Sequence, residues 1–321
     1  MSRKKRKPAP ALAGVNGWLL IDKPSGMTSR DVLNQVERKW RGVKFGHAGT
    51  LDPLASGLLL VAVGTACRLV EYSHRLGKSY EATIRLGATS STDDADGEII
   101  ENQEVSPIPS AVIQAALAKL TGPDILQTPP AFSAIHTGGK RAYELAREGR
   151  EVTLAARPVR IDRIEIKAYH WPFLDVTVDC GAGTYIRSIA RDLGELVGSG
   201  GFIQTLRRTA IGPFQVPQAT GLPDILEKHE LQELIQKSQQ VLPGWLSRLL
   251  TDEELIEICH GRSVSLPVDW SEVIADKEVM LIDKDECLAG LAKIVRVHDQ
   301  WLIQPTRVFA KLGDHSIDHQ S

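Results

Sequence analysis

An aspartate followed by proline, Asp52-Pro53, lies in a polar, glycine-rich stretch over residues 46–57, with Leu51, Leu54 and Leu58-Leu59-Leu60 around it. Proline restrains the preceding residue to extended or turn backbone. A carboxylate held among leucines is partly desolvated and needs a cation or several donors. Such a group can serve as nucleophile or base, and the same residues also fit an Asp-Pro turn capping the next segment. Arg187 follows Thr184-Tyr185 at the start of a helical pattern. Its planar fork suits a carboxylate, and it equally suits a solvated helix face. Tyr80 heads an alternating segment; it can stack on a base and use its phenol as acid or base, or pack into a core. His47, five residues before Asp52, can stack on a base or hold a phosphate, or simply bond to backbone.

The elements that must position these groups read as follows. A strand over 17–22 ends at Lys23-Pro24-Ser25-Gly26, a turn signature. A helix starts near Ser29, with Ser29 as its cap and Val32, Leu33, Val36 and Trp40 as its apolar face. Residues 46–57 form a loop, and the apolar run 58–63 is a buried strand. Over 80–86, Tyr80, Ala82, Ile84 and Leu86 alternate with Glu81, Thr83 and Arg85, a half-buried strand. An acidic turn at 93–97, a helix over 111–120, a loop over 128–139 and a short helix over 142–148 follow. Strands over 159–168 and 174–180 precede a helix over 184–197 that carries Arg187 and Arg191 off its apolar stripe. This irregular mixture is an α+β fold. Short strands over 279–282, 288–297 and 301–303 predict a small β-rich C-terminal domain.

The chain has 321 residues and 42% hydrophobic content, enough for a large core. No apolar run reaches membrane-spanning length. Arg3-Lys4-Lys5-Arg6-Lys7 lacks a following apolar region, so residues 1–16 read as a disordered basic tail rather than a secretory signal. Cys67, Cys180, Cys259 and Cys287 form no C-x-x-C pair, which argues against a disulfide framework and a zinc knuckle. A cytoplasmic location is the default. The net charge of −2 hides an asymmetry: residues 1–80 hold 14 Lys and Arg against 5 Asp and Glu, while 241–300 hold 6 against 12. A basic front fits a polyanionic partner, or a basic tail on an ordinary surface.

Read together, the segments resemble a known family. Gly46-His47-Ala48-Gly49-Thr50-Leu51-Asp52-Pro53-Leu54-Ala55-Ser56-Gly57 looks like the signature of the TruB family of tRNA pseudouridine synthases, as does Leu20-Ile21-Asp22-Lys23-Pro24-Ser25-Gly26-Met27-Thr28-Ser29. Lys78-Ser79-Tyr80-Glu81-Ala82, Thr92-Asp93-Asp94-Ala95-Asp96-Gly97, Gly183-Thr184-Tyr185-Ile186-Arg187-Ser188 and Leu206-Arg207-Arg208 are similar to further family segments. So are residues 129–139 with Tyr143-Glu144-Leu145-Ala146-Arg147, and the similarity runs in order over about 17–215.

The resemblance implies a catalytic domain over 17–245 with a mixed, largely antiparallel sheet flanked by helices. A small β-rich domain over 251–312 is similar to PUA-like modules only in general character. It implies Asp52 as catalytic aspartate, Arg187 as its salt-bridged partner, Tyr80 as the aromatic under the target base, and His47, Tyr185 and Leu206 as substrate contacts. The implied reaction isomerises uridine to pseudouridine at position 55, in the T-loop of tRNA. The implied enzyme is a monomer that recognises the T-arm stem-loop and needs no guide RNA and no membrane. Isomerisation involves no redox change and no second reactant, so no cofactor is required. The C-terminal domain is expected to add affinity and little to the chemical step. Three rivals are a non-catalytic RNA-binding module, a guide-RNA-dependent synthase, and a dinucleotide enzyme. The last fails, because the third glycine after Gly181-Ala182-Gly183 falls at Ile186.

Overall fold

The computed structural model describes residues 14–133, 136–137, 140–142, 145, 154–267, 270, 276–298 and 300–310. The basic tail and most of the expected helix over 142–148 lie outside the described residues.

One eleven-stranded sheet organises residues 17–236. Its strands include β1 (Gly17–Lys23), β2 (Phe45–His47), β3 (Ser56–Val63) and β4 (Lys78–Leu86). Then come β5 (Gly122–Gln127), β6 (Arg157–His170), β7 (Phe173–Cys180) and β8 (Gly201–Ile211). Their order is β1-β3-β8-β4-β7-β6-β5, with β2 paired to β3. β8 runs parallel to β3 and antiparallel to β4. The sheet is therefore mixed and largely antiparallel, as expected.

Sequence pattern explains the layering. β3 is apolar on both faces because both are covered. Leu59, Val61 and Val63 pack against α1 (Ser29–Lys39), while Leu58, Leu60 and Ala62 pack on the opposite side. β4 alternates as expected. Tyr80, Ala82, Ile84 and Leu86 are buried in a core shared with α3 (Ser110–Lys119) and α4 (Ile186–Leu196), which follow α2 (Val70–Arg75) in the chain. The helix face of α4 that carries Ile186, Ile189, Ala190 and Leu193 fills that core.

The cap of α1 differs from expectation. Thr28 caps it, accepting from the Asp31 N–H at 3.1 Å, while the Asp31 carboxylate accepts from the Thr28 N–H at 3.1 Å. That reciprocal box satisfies two N-terminal donors, and Ser29 is released for another task described below.

The C-terminal sheet has five strands. Its strand Leu246–Leu249 precedes the expected start at 251 and runs parallel to Glu278–Ile282. The last strand extends over Gln300–Val308, longer than the 301–303 read from sequence. This sheet is joined tightly to the first. The Arg68 guanidinium donates to the Val308 carbonyl at 2.6 Å and lies over the Phe309 ring. Arg307 donates to the Arg68 carbonyl at 2.7 Å and pairs with Glu71 on α2. Leu288, Leu291 and Phe309 share one core with Trp18, Leu20, Leu58 and Leu60.

That shared core bears on the stability of a chain truncated before the C-terminal sheet. Burying each large side chain contributes about 1.5–3 kcal/mol, and net stability is typically only about 5–15 kcal/mol. A fragment ending at residue 245 is expected to aggregate or to melt at least about 10 °C lower than the full chain. A melting scan showing equal stability would contradict the shared-core account. No helix among the described residues is long and apolar enough to cross a membrane.

Candidate active site

Asp52 stands on the loop between β2 and β3, and the turn leading into α1, with the first residue of that helix, ties the loop down. Ser29 Oγ accepts from the Leu51 N–H at 2.8 Å and lies 3.2 Å from the Leu51 carbonyl, so one hydroxyl holds both polar groups of the residue before Asp52. Ser25 Oγ donates to the Leu54 carbonyl at 2.8 Å, and the Gly26 N–H donates to the Pro53 carbonyl at 2.8 Å. Leu51 and Ala55 are buried, so the loop has apolar anchors on both sides of the carboxylate. Lys23 completes the clamp. Its ammonium is 0% exposed and donates to the carbonyls of Pro24 at 2.9 Å, Met27 at 2.6 Å and, on the Asp52 loop, Pro53 at 3.4 Å. Burial lowers its pKa to about 8, with Asp52 pulling the other way. Sequence reasoning treated Lys23 as part of a turn. Its spacing to the loop carried no signal, because the contact joins residues thirty apart.

Arg187 reaches Asp52 from the first turn of α4. Its Nε lies 3.0 Å from Asp52 Oδ2, an ion pair in which the N–H is not aimed at the oxygen. The guanidinium is not a two-pronged fork on Asp52, as the sequence suggested. Nη1 lies 3.4 Å from Asp94 Oδ2 and donates to the Thr92 carbonyl at 3.1 Å, while Nη2 donates to the Phe132 carbonyl at 2.9 Å. One cation thus joins the Asp52 loop, the acidic turn and the 128–133 segment. Asp94 is a site residue that sequence reasoning missed. It was visible only as one of three acids in a turn. Its own Oδ1 is occupied by the Thr92 hydroxyl and by the Asp96 N–H at 3.2 Å. Beside it, Asp93 pairs with Arg191 at 3.1 Å.

The electrostatics of Asp52 follow from this packing. Arg187 is 5% exposed, whereas the Asp52 side chain keeps 38% of its surface open. An approaching molecule therefore meets the carboxylate, with the arginine behind it. Burial raises the Asp52 pKa; Arg187 opposes that rise, the Asp94 carboxylate adds to it, and Lys23 opposes it.

Tyr80 is buried on β4, in the same core as Leu51, Ala55 and Leu206. Burial pushes its phenol above the ordinary value, and the Arg208 guanidinium beside it pulls it back. Leu206 on β8 is the cross-strand partner of Ala82, so Tyr80, Asp52's flanking residues and Leu206 belong to one group. His47 is not a loop residue as expected: it ends β2, paired with Val61. Burial lowers its pKa first, then the Arg30, His74 and Arg208 charges. Tyr185 caps the start of α4, where its N–H and carbonyl both meet the Gln127 amide, at 2.8 and 3.0 Å, and its ring lies over Arg157. Arg207 and Arg208 point to opposite faces of β8. Arg207 forks onto Asp22 at 2.7 and 3.0 Å, and Arg208 turns inward. Gly57 permits this approach: a Cβ there would lie 2.3 Å from the Arg208 carbonyl oxygen.

Comparison with known proteins decides the family. The sequence profile described as TruB family pseudouridylate synthase, N-terminal domain, matches residues 36–186. The profile described as tRNA pseudouridylate synthase B C-terminal domain matches residues 187–255. A protein from Arthrobacter sp. (strain FB24) named tRNA pseudouridine synthase B is 42% identical over 257 residues, covering 78% of this chain and 83% of its own. The chain belongs to the TruB family of pseudouridylate synthases. A relative of the same name from Mycobacterium bovis (strain BCG / Pasteur 1173P2) is 41% identical over 277 residues, 84% of this chain and 92% of its own.

As a TruB-family member the protein is an isomerase. The two family profiles meet between Ile186 and Arg187, so the Asp52–Arg187 pair bridges them. Among solved structures, a chain in an H/ACA ribonucleoprotein bound to a substrate RNA containing 2'-deoxyuridine has a TM-score of 0.68 at 21% identity, covering 92% of this chain and 85% of that one. A chain in a Cbf5-Nop10-Gar1 complex also gives 0.68, at 23% identity, with the same coverage. These likenesses establish a pseudouridine-synthase fold with a separate β-rich C-terminal sheet.

Proposed function

We propose that this enzyme converts the uridine at position 55, in the T-loop of tRNA, to pseudouridine, with Asp52 acting as nucleophile or base on the target nucleotide. The observation that carries the reading is the half-open Asp52 carboxylate backed by buried Arg187. The relatives named for tRNA support the substrate class. The reaction breaks the N1–C1′ bond, turns the uracil and joins C5 to C1′. It needs an ionised carboxylate, and burial works against ionisation. Arg187 and Lys23 supply the positive charge that opposes burial. Asp52 then attacks C1′ or C6, or removes the 2′ proton.

The target base must leave the folded loop, at a cost of a few kcal/mol. Stacking on Tyr80 returns roughly 1–3 kcal/mol. Leu206 and Tyr185 contact the flipped nucleotide and its neighbours, and the His47 ring fills the vacated place. The enzyme acts on the T-arm stem-loop as a cytoplasmic monomer without guide RNA or cofactor. The domain division is a catalytic domain over 17–245 and a small β-rich, PUA-like domain over 251–312.

The test is incubation of the purified chain with an unmodified tRNA transcript, followed by mapping of pseudouridine. Modification at position 55 alone is expected. A T-arm hairpin should keep kcat/KM within about tenfold of whole tRNA, since one hairpin is as much RNA as a compact catalytic domain covers. Dependence on an added guide RNA would instead favour the guided reading. A loss beyond about a hundredfold on the hairpin would show that distant parts of the tRNA are read.

A further inference from the structure

The catalytic sheet is thin at one place, and the candidate site lies across it. β1 pairs with β3 along its whole length, from Gly17 to Lys23, and β8 pairs with β4 from Gly201 to Ile211. Between these two halves, β3 and β8 meet at two positions among the described residues, Ser56 against Arg207 and Gly57 against Arg208. The Asp52 loop belongs to the first half, because it leads into β3 at Ser56. Arg187 belongs to the second. Its helix α4 is seated on the start of β8, where a Cβ on Gly194 would lie 2.2 Å from the Gly200 carbonyl carbon. The 3.0 Å approach of Arg187 Nε to Asp52 Oδ2 therefore spans the seam.

Two adjacent arginines staple this seam on opposite faces. On the inner face, Arg208 Nε donates to the Leu58 carbonyl at 2.8 Å, and Nη2 donates to the Gly49 carbonyl at 3.2 Å. On the other face, Arg207 Nη1 donates to Asp22 Oδ1 at 3.0 Å and Nη2 donates to Asp22 Oδ2 at 2.7 Å. Arg207 Nη1 also donates to Ser56 Oγ at 3.4 Å. Asp22 and Lys23 are the last two residues of β1. Asp22 takes the Arg207 fork, and Lys23 donates to the Pro53 carbonyl at 3.4 Å. Arg207 thus reaches the Asp52 loop twice, through the end of β1 and directly at Ser56.

We propose that Arg207 is a positioning residue for the reaction: its fork on Asp22 closes the seam and holds Asp52 at its distance from Arg187. The inference rests on Asp52 being the catalytic carboxylate, as assigned above. The Arg207 and Asp22 side chains keep 36% and 31% of their surface open. An ion pair in that setting contributes little to stability. What it supplies is geometry, because two parallel charge-assisted bonds fix one orientation. A misplacement of about 1 Å in a reacting group can cost about a hundredfold in rate.

The test measures the single-turnover rate and the tRNA affinity of the full chain separately. Arg207→Met and Asp22→Asn should each lower the rate by about ten- to a hundredfold. Affinity should stay within about threefold, and each variant should melt within about 3 °C of the parent. The double variant should be no slower than the slower single one, because both changes remove one constraint. Arg207→Lys, which offers a point charge in place of the fork, should recover part of the rate. If Arg207→Met does not fold, the nearly isosteric Asp22→Asn and the Arg207→Lys variant decide. Rates within about twofold of the parent in folded variants overturn the proposal and leave an ordinary surface pair. A loss in affinity rather than rate, confined to the Arg207 variants, overturns it by making Arg207 a phosphate contact. Losses that multiply in the double variant overturn it as well, because the two residues then act separately. Asp52→Asn is the control that separates the two readings. An active control removes the Asp52 assignment and this inference with it. A dead control beside silent Arg207 and Asp22 variants removes this inference alone.

Discussion

Replacing Asp52 by Asn is expected to lower turnover by more than about a thousandfold, leave tRNA affinity within a few-fold, and raise the melting temperature. The first effect follows from chemistry: the amide is nearly isosteric but is neither an anionic nucleophile nor a base. The affinity should persist because the carboxylate is one half-open group in a surface that is otherwise unchanged. The stability gain follows from the direction of the pKa. Burial holds the folded-state value above the ordinary one. The folded protein therefore binds the proton more tightly than the unfolded chain, and this group's contribution falls as pH rises through that window. At neutral pH the ionised side chain is a net cost, which the amide removes. Arg187 keeps Asp94 and two carbonyls, so it is not stranded. Turnover within tenfold of wild type would sink the catalytic assignment. A lower melting temperature would show that the Arg187 pair outweighs burial.

The Arg187→Met variant is expected to lose both activity and stability. Removing one partner of a buried ion pair costs about 3–5 kcal/mol, a large share of a typical total of about 5–15. Here the stranded group is chiefly Asp94, whose side chain is 6% exposed, and the carbonyls of Thr92 and Phe132 lose their donor as well. Turnover at a temperature where the variant is folded should fall by at least about a hundredfold. Lys should recover little, because a single ammonium cannot reach two carboxylates and two carbonyls at once. Adding Asp94→Asn to Arg187→Met should return part of the lost stability without returning turnover. If Lys restored most of the activity, the four-way contact would be irrelevant to the chemistry. If Asp94→Asn returned no stability, the stranded-carboxylate account would fail.

Much of the scaffold was legible in advance for local reasons. The Tyr80–Leu86 alternation, the two-faced apolar run over 58–63 and the apolar stripe of α4 are periodic patterns, and each met the partner that its pattern demands. Local reading failed where two polar residues competed for one task. Thr28 and Ser29 both fit a helix cap; Thr28 took it because Asp31 sits three residues later, and Ser29 went to Leu51. His47 was read as loop because Gly46 and Gly49 surround it, whereas pairing with Val61 makes it a strand end.

For the candidate site, residue types and spacing raised Asp52, Arg187, Tyr80 and His47 only beside ordinary structural readings, and it was the resemblance of whole segments to a family that assigned their roles and added Tyr185 and Leu206. Tertiary structure decided what these groups do to one another. It divided the Arg187 guanidinium between Asp52 and Asp94, buried Lys23 and Arg208 against loop carbonyls, and tied the C-terminal sheet into the core beneath Trp18 and Leu58. The physical reason is the range of the forces. Periodicity and capping act within a few residues and leave a mark in the sequence. A buried cation is placed by carbonyls and carboxylates that come from segments 30 to 159 residues apart, and no local pattern records which of them will converge.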